Sequence, residues 1–472
     1  MISAYRAAVP PGVLDEFPIT RLDRTGVPVW TVRVWPSEGP GFGGVGYGPN
    51  EGAARVSAWG ECVEGAGIWM ALRHLPRTRG SYAQLRRRHG PRGILDPRAA
   101  CLPAGSPWTP ETPLTWVPVT RIATGQPVLV PIELAADSAG HLDPSDEPPG
   151  GWLLTPITNG AGAGASPAQA LDHGLRELLQ RDGNSARYRA LDRGVGVDLD
   201  AVEDPATRGL LDRLDALGID VRVKLAGTDD GVANLYVVGC ERDPGQAPHP
   251  LSVTACGEAA HPDREQALAK ALREFCASRA RKAFMHGPLE LLDDLPIPSG
   301  YLQRVRAEPP GGAGEEPRAL EAMLDWLGRS AQELAALIAD PVLSVRERVP
   351  FSSLPRRAAP DLSGLDVLAL QYAAPGGGAF ACKVIVPGLE VETASYGRIG
   401  RRNVMRLRDL GLAGFGPPPA GTARVLLPDD EPAWLDRAAL DRLVDPLYAL
   451  YREPGRHVAA RCAEASARLG VH

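Results

Sequence analysis

No two of the seven cysteines are spaced CxxC, and an odd number cannot all pair within one chain, so neither a zinc ribbon nor a disulfide framework is indicated. A reducing cytoplasm fits that usage. No stretch approaches the roughly 20 apolar residues of a membrane span. The amino terminus, MISAYRAAVPPGVLDEF, lacks the basic region and apolar run of a secretory signal. Positive charge is not in excess: the formal net charge is −6, so no global field draws the chain to nucleic acid or an anionic membrane. No GxxxxGK[ST] phosphate loop and no tandem repeat occurs. What is present is ordinary globular material, 44% hydrophobic and 23% charged over 472 residues, which excludes wholesale disorder. Its 53 glycines and 46 prolines point to many loops.

Short β-branched and aromatic runs at 29–34, 114–119, 127–132, 219–224, 234–239, 251–255, 367–372 and 379–386 read as strands. Segments of helical period at about 50–73, 167–182, 205–217, 263–284, 318–339 and 433–451 lie among them. Strands and helices interleave along the whole chain, which predicts a mixed α/β fold. Residues 135–151 and 306–317 have the Pro, Gly and acidic composition of exposed loops. FGPPPAG at 415–421 is the best boundary, so the expected organisation is an amino-terminal arm at 1–28, a core at 29–414 and a mainly helical appendage at 415–472.

Three of the helical segments share a theme. Each places Pro and Ala upstream and a glutamate about two turns into the helix, with a polar residue four before it: Ser57 and Glu61, His173 and Glu177, Lys270 and Glu274. Residues at i, i+3 and i+4 share a helix face, so Glu61 points with Glu64, and Glu177 with Gln180 and Arg181. Leu171, Leu175, Leu178 and Leu179 supply the opposite, core-facing stripe of the second helix.

If the first two helices face each other, three carboxylates and an amide oxygen converge, a hard-oxygen environment suited to Mg²⁺. The Gly-rich run before the second helix, Thr158-Asn-Gly-Ala-Gly-Ala-Gly-Ala-Ser166, could turn backbone N–H groups and a helix terminus toward a polyphosphate, with Arg181 and Arg279 neutralising it. Each element also has an ordinary account. Helical charge is usually solvated surface. Ser166-Pro-Ala-Gln169 is a capping box with Pro at the first helical position, and Asp263 begins a similar cap.

Taken together the motifs resemble the YcaO family of ATP-dependent enzymes that modify peptide backbones. Ser57-xxx-Glu61-xx-Glu64 is similar to the family's SxxxExxE element, and TNGAGAGASPAQALDHGLRELLQRD to its (S/T)NGxAxG…HGLxELxERD element. ALAKALREFCASRARK resembles the third family helix, and CKVIVPGLE with Arg401-Arg402-Asn403 the segment near the end of the core. The resemblance covers about residues 44–403. It implies a core of mixed sheets packed with helices whose faces form an internal ATP and Mg²⁺ site. The ion would fall to Glu61, Glu64, Glu177 and Gln180, and the nucleotide to Ser57, Gln169, Arg181, Glu274 and Arg279.

The implied reaction is O-phosphorylation of a backbone amide in a ribosomally made precursor peptide after a nucleophile has added, giving an azoline or a macrocyclic amidine. Sulfide as nucleophile, delivered by a partner, would give a thioamide. This sequence has Val45 where the family's GKG element has Lys, Gln169 and Gln180 where it has Glu, and Ala165 and Ala277 in place of polar residues. Those changes allow a rival reading, a peptide-binding scaffold with a degenerate ATP site. The chain ends in EASARLGVH, not in the proline-rich tail of many azoline-forming members, so the general base is unassigned. No peptide-clamp domain precedes the core, so a stand-alone member of the bottromycin-pathway sort is expected, with a separate recognition partner or a homodimer left open.

Overall fold

The computed structural model describes residues 1–185, 194–287, 289–293, 295–307, 322, 325–339, 343–391 and 397–447. Helix α1 (Ile2–Ala8) and strands β1 (Gly12–Pro18), β2 (Val29–Pro36) and β3 (Phe42–Tyr47) open the chain, the strands forming an antiparallel meander. A six-stranded sheet joins β4 (Thr78–Ser81), β5 (Pro113–Arg121), β13 (Leu368–Ala373), β14 (Phe380–Ile385) and β7 (Ala161–Gly164), with β6 (Pro127–Pro131) paired to β5. A five-stranded sheet runs β11 (Thr254–His261), β10 (Ala233–Glu241), β9 (Ile219–Gly227), β8 (Val195–Asp198) and β12 (Glu347–Pro350). The last sheet, β15 (Ala413–Phe415), β17 (Ala433–Leu435) and β16 (Ala423–Val425), has three short strands. The mixed α/β reading holds.

Three strand–helix units organise the interior. β3 leads into α2 (Glu51–Arg73), β7 into α5 (Pro167–Gly183) and β11 into α7 (Arg264–His286), and each helix folds back onto its own strand. Asn50, Ser166 and Asp263 cap the three helices, accepting from Ala53, Gln169 and Glu265 N–H at 2.9, 3.2 and 2.9 Å. Close approach requires glycine on the strand. A methyl at Gly44 would overlap the Ala58 carbonyl, one at Gly162 the Ala170 carbonyl, and one at Gly257 the Ala271 carbonyl. Behind each helix lies an apolar core. Trp59, Cys62 and Val63 pack with Val32 and Val34; Leu175, Leu178 and Leu179 with Val384 and Leu389; Leu268, Leu272 and Phe275 with Leu235 and Val237.

Several expected boundaries move. Only the start of the Gly-rich run is a turn, closed by the Ala161 N–H on the Thr158 carbonyl with Gly160 at φ 85°; Ala161–Gly164 is a strand whose partner is β14, from Gly164↔Phe380 to Ala161↔Lys383. In the run expected at 251–255 only Thr254 onward is strand, because Pro250–Ser252 form a 3-10 turn. Between 415 and 447 the described residues hold β16, β17 and α11 (Arg437–Val444), whose Leu440 and Val444 share a core with Val404 and Leu407 of α10 (Arg401–Arg408). Residues 448–472 of the expected appendage lie outside the described residues, as do 318–321, 323 and 324 of the helix expected at 318–339, of which Ala331–Ala339 is helical. Among the described residues no helix is long and apolar enough to cross a membrane, and the six described cysteines are free.

Candidate functional site

Helix α2 carries Ser57, Glu61 and Glu64 along one stripe beside β3. The Val45 N–H donates to Glu61 Oε2 at 2.8 Å, so the backbone at the family's lysine position holds this carboxylate whatever side chain stands there. Glu61 keeps open surface, yet burial is the first cause lifting its pKa above the ordinary carboxylate range. Such a side chain faces an enclosed space, not bulk water. The Arg281 guanidinium and the Val45 N–H pull the value down, and the Glu274 and Glu177 carboxylates push it up. Glu64 is lifted further, by burial first and then by Glu61 and Glu177, against the Lys270 ammonium. Ser57 lies half-buried one turn before Glu61.

Helix α5 brings the second acid. Glu177 Oε2 accepts the Gly160 N–H at 2.9 Å. That donor sits in a loop held from beneath by Lys383, a buried ammonium bonded to the carbonyls of Ile157 and Asn159. Burial pushes the Lys383 pKa down to about 8, with Asp137 and Glu177 opposing. Arg181 spans two carboxylates, Glu177 at 3.5 Å and Glu258 of β11 at 3.1 Å. His173 lies 3.9 Å from Glu64 Oε1; burial, then the Lys270 ammonium and Arg176, pushes its pKa down to about 4, so the ring is neutral near pH 7.

Helix α7 closes the space. Tyr47 donates its hydroxyl to Glu274 Oε2 at 2.7 Å, and the phenol pKa is raised well above its usual value by burial and by Glu274. Arg281, seven residues and about two turns beyond Glu274, is the guanidinium whose charge reaches both Glu61 and Tyr47.

Glu61, Glu64, Glu177 and Glu274 are thus near enough for their charges to act on one another, and Arg181 bonds Glu177. Three expected residues are engaged by other partners. Arg279 is fully buried in a bridge to Asp23 at 2.8 Å and to Glu241; five residues past Glu274 it points about 140° away from the stripe. Gln180 is buried with its amide nitrogen donating to Glu258 Oε2 at 3.2 Å, the carboxylate oxygen that Arg181 and Asn184 also bond, so it is engaged on Glu258. Gln169 is exposed and its Oε1 accepts the Ala165 N–H at 2.9 Å, so the capping box accounts for it. Glu258, Arg281, Tyr47 and Lys383 were not expected. Of these only Arg281 had a local signal, the continuation of the Lys270, Glu274, Ala277 spacing.

Carboxylates that raise the pKa of their neighbours repel one another when ionised, so the cluster favours a cation. Among the described residues no three His, Cys, Asp or Glu stand close enough to hold an ion unaided. Mg²⁺ usually takes one or two carboxylates, several waters and the phosphate oxygens of a substrate.

Known proteins agree. A family model described as YcaO cyclodehydratase, ATP- and Mg²⁺-binding, matches residues 45–390. This chain belongs to the YcaO family. ATP and Mg²⁺ are accordingly its cofactors. An uncharacterized protein of Methanothermobacter thermautotrophicus is 28% identical over 396 residues, 83% of this chain and 93% of the relative. A heterocyclase solved in complex with substrate and cofactor superposes with a TM-score of 0.58 at 19% identity over 83% of this chain. Only 52% of that heterocyclase is covered, so this chain spans about half its length. The YcaO protein from Methanopyrus kandleri bound with AMPPCP and Mg²⁺ gives 0.52 at 21% identity, covering 82% of this chain and 88% of that one. These two likenesses concern the fold.

Proposed function

We propose that this protein uses ATP and Mg²⁺ to activate a backbone amide of a ribosomally made peptide, closing it to an azoline or a macrocyclic amidine. The observation that carries the reading is that the Glu177 carboxylate of one helix acts on both Glu61 and Glu64 of another, so that acids from separate helices share one negatively charged field. In this reading one or two of the carboxylates of Glu61, Glu64 and Glu177 would hold the ion together with water and phosphate oxygens, while Ser57, Arg181 and Arg281 face the nucleotide. Bound Mg-ATP supplies the phosphoryl group that turns a poor leaving group, amide oxygen, into phosphate. The chain supplies position and charge. Arg181 and Arg281 offset negative charge that develops during transfer. The Val45 and Gly160 N–H groups fix two carboxylates in place, and Tyr47 fixes Glu274. The walls of α2, α5 and α7 keep bulk water from competing with the peptide nucleophile.

The scaffold alternative rested on Val45, Ala165, Gln169 and Gln180. It is disfavoured because Val45 acts through its backbone, Gln169 through a cap and Gln180 through Glu258, leaving the carboxylates of the site unaltered. The test is a titration with AMPPCP with and without Mg²⁺, then incubation of short peptides encoded beside the gene with protein and ATP. Mg-dependent binding and a peptide product lacking one water support the reading. Binding indifferent to Mg²⁺, or a product formed without ATP, overturns it. Oxygen-for-sulfur exchange that requires sulfide would assign thioamidation instead, with a sulfur-delivering partner.

A further inference from the structure

Adding a thiol, hydroxyl or amine to an amide carbon releases a proton, and none of the residues above is placed to take it. Ion-holding carboxylates are poor acceptors, and the neutral His173 lies beside the Lys270 ammonium. One histidine outside the carboxylate set has the arrangement a proton acceptor needs.

His141 Nδ1 is 2.5 Å from Asp137 Oδ1, and both side chains are largely buried, 12% and 5% exposed. A carboxylate on Nδ1 fixes the ring orientation and the tautomer, leaving the Nε2 lone pair outward. Nε2 has no hydrogen-bond partner among the described residues and is not sealed from solvent. The pair is also in the right place. A methyl at Gly65 would lie 3.3 Å from Asp137 Oδ2 and 3.9 Å from His141 Cε1, and Gly65 sits one turn beyond Glu61 on the same stripe, next to Glu64. Phe42 of β3, three residues before Val45, lies against the ring at 5.4 Å between centroids. On the far side the Asp137 charge reaches Lys383, which also feels Glu177. The charge of Lys383 on β14 therefore acts on the pair.

Resting on the proposed amide activation, we propose that His141 Nε2 accepts the proton of the attacking nucleophile, with Asp137 as its positioning residue. In that step the S–H, O–H or N–H bond breaks and its electron pair forms the bond to the amide carbon. The carbonyl π pair moves onto oxygen, and the proton passes to Nε2. The imidazolium so formed is held by Asp137 through Nδ1–H. A general base of this kind contributes about 10²–10⁴-fold.

The experiment compares wild type, His141→Ala and Asp137→Asn on a peptide that the wild-type protein converts. Thermal melts and Mg-AMPPCP titrations establish that each variant is folded and loaded. Histidine ring NMR provides a readout independent of turnover, with His141 assigned by its loss in the alanine variant. Expected are a kcat fall of 10²-fold or more for His141→Ala with nucleotide affinity changed less than threefold, partial rescue by added imidazole, and a smaller fall for Asp137→Asn. The wild-type His141 ring should be the Nδ1–H tautomer, redistributed in Asp137→Asn. Undiminished kcat in His141→Ala, equal loss of nucleotide binding and turnover, or an Nε2–H ring in the wild type would overturn the assignment. Wild-type protein that binds Mg-AMPPCP but converts no peptide would overturn the underlying amide-activation reading instead.

Discussion

Tyr47 and Glu274 are hydrogen-bonded at 2.7 Å across the interior, joining the end of the first acidic helix's strand to the middle of the third helix, 227 residues away. Replacing tyrosine by phenylalanine keeps the ring and removes the only donor the phenol offers. Glu274 then loses its charge-assisted partner in an enclosed site, which should cost about 1–3 kcal/mol. Denaturant melts of Tyr47→Phe, and of the double variant with Glu274→Gln, check this. The second change should recover part of the loss, since it removes the stranded charge; an additive further loss would contradict the pairing.

Two arginines two residues apart should separate cleanly. Arg279 has no exposed surface and bridges Asp23 and Glu241, so Arg279→Met leaves two buried carboxylates with diminished compensation, at a cost of about 3–5 kcal/mol. Arg281→Met should leave the melting temperature within a few degrees and weaken Mg-AMPPCP binding at least tenfold, read by calorimetry. A folded Arg279→Met protein with selectively weakened nucleotide binding would reverse the two roles.

The same pair marks how far the amino-acid sequence could be read. Asn50, Ser166 and Asp263, with the prolines near them, are local signals, and the helices they cap begin within a residue or so of expectation. Glu61, Glu64 and Glu177 follow from helix spacing alone. Choosing Arg279 over Arg281 needs the partners, and Asp23 is 256 residues from Arg279 in the chain. Strands β3 and β7 were missed for a related reason: their glycines answer to a helix packed on top of them, not to strand propensity, so the Gly-Ala-Gly run of β7 reads as a turn. Glu258 is a lone acid in a small-residue strand and is given meaning only by Gln180, Arg181 and Asn184.

Glu177→Gln preserves an acceptor for the Gly160 N–H while removing the charge, so the loop should stay in place and ATP turnover should fall about 10²-fold or more. A control carboxylate must lie outside such bonding, which excludes Glu265, whose buried carboxylate accepts the N–H groups of Glu203 and Asp204. Exposed Glu111 is suitable. Phosphate release by Glu111→Gln should match wild type; equal rates for the Glu177 and Glu111 variants would remove Glu177 from the site.

Stability of the metal-free protein should fall as pH rises. Burial and neighbouring acids lift Glu61 and Glu64, and burial lifts Glu133 and Glu390 to about 7. A folded-state pKa above the unfolded value means the native state holds the proton more tightly, so that stabilisation is complete below the ordinary carboxylate pKa and is lost as pH climbs through the raised values. His173 has the opposite sign: pushed down to about 4, it contributes fully above about 6.5 and loses that contribution as pH falls toward 4. Melting temperatures above about pH 6.5 therefore report the carboxylates with the His173 contribution flat, Lys383 adding a slope of opposite sign near 8. Mg-AMPPCP should remove the Glu61 and Glu64 share of the slope and leave that of Glu133 and Glu390. Glu64→Gln should flatten the metal-free slope and reduce the effect of the ligand. A slope unchanged by both the ligand and the substitution would mean that the acids of α2 do not share one enclosed field.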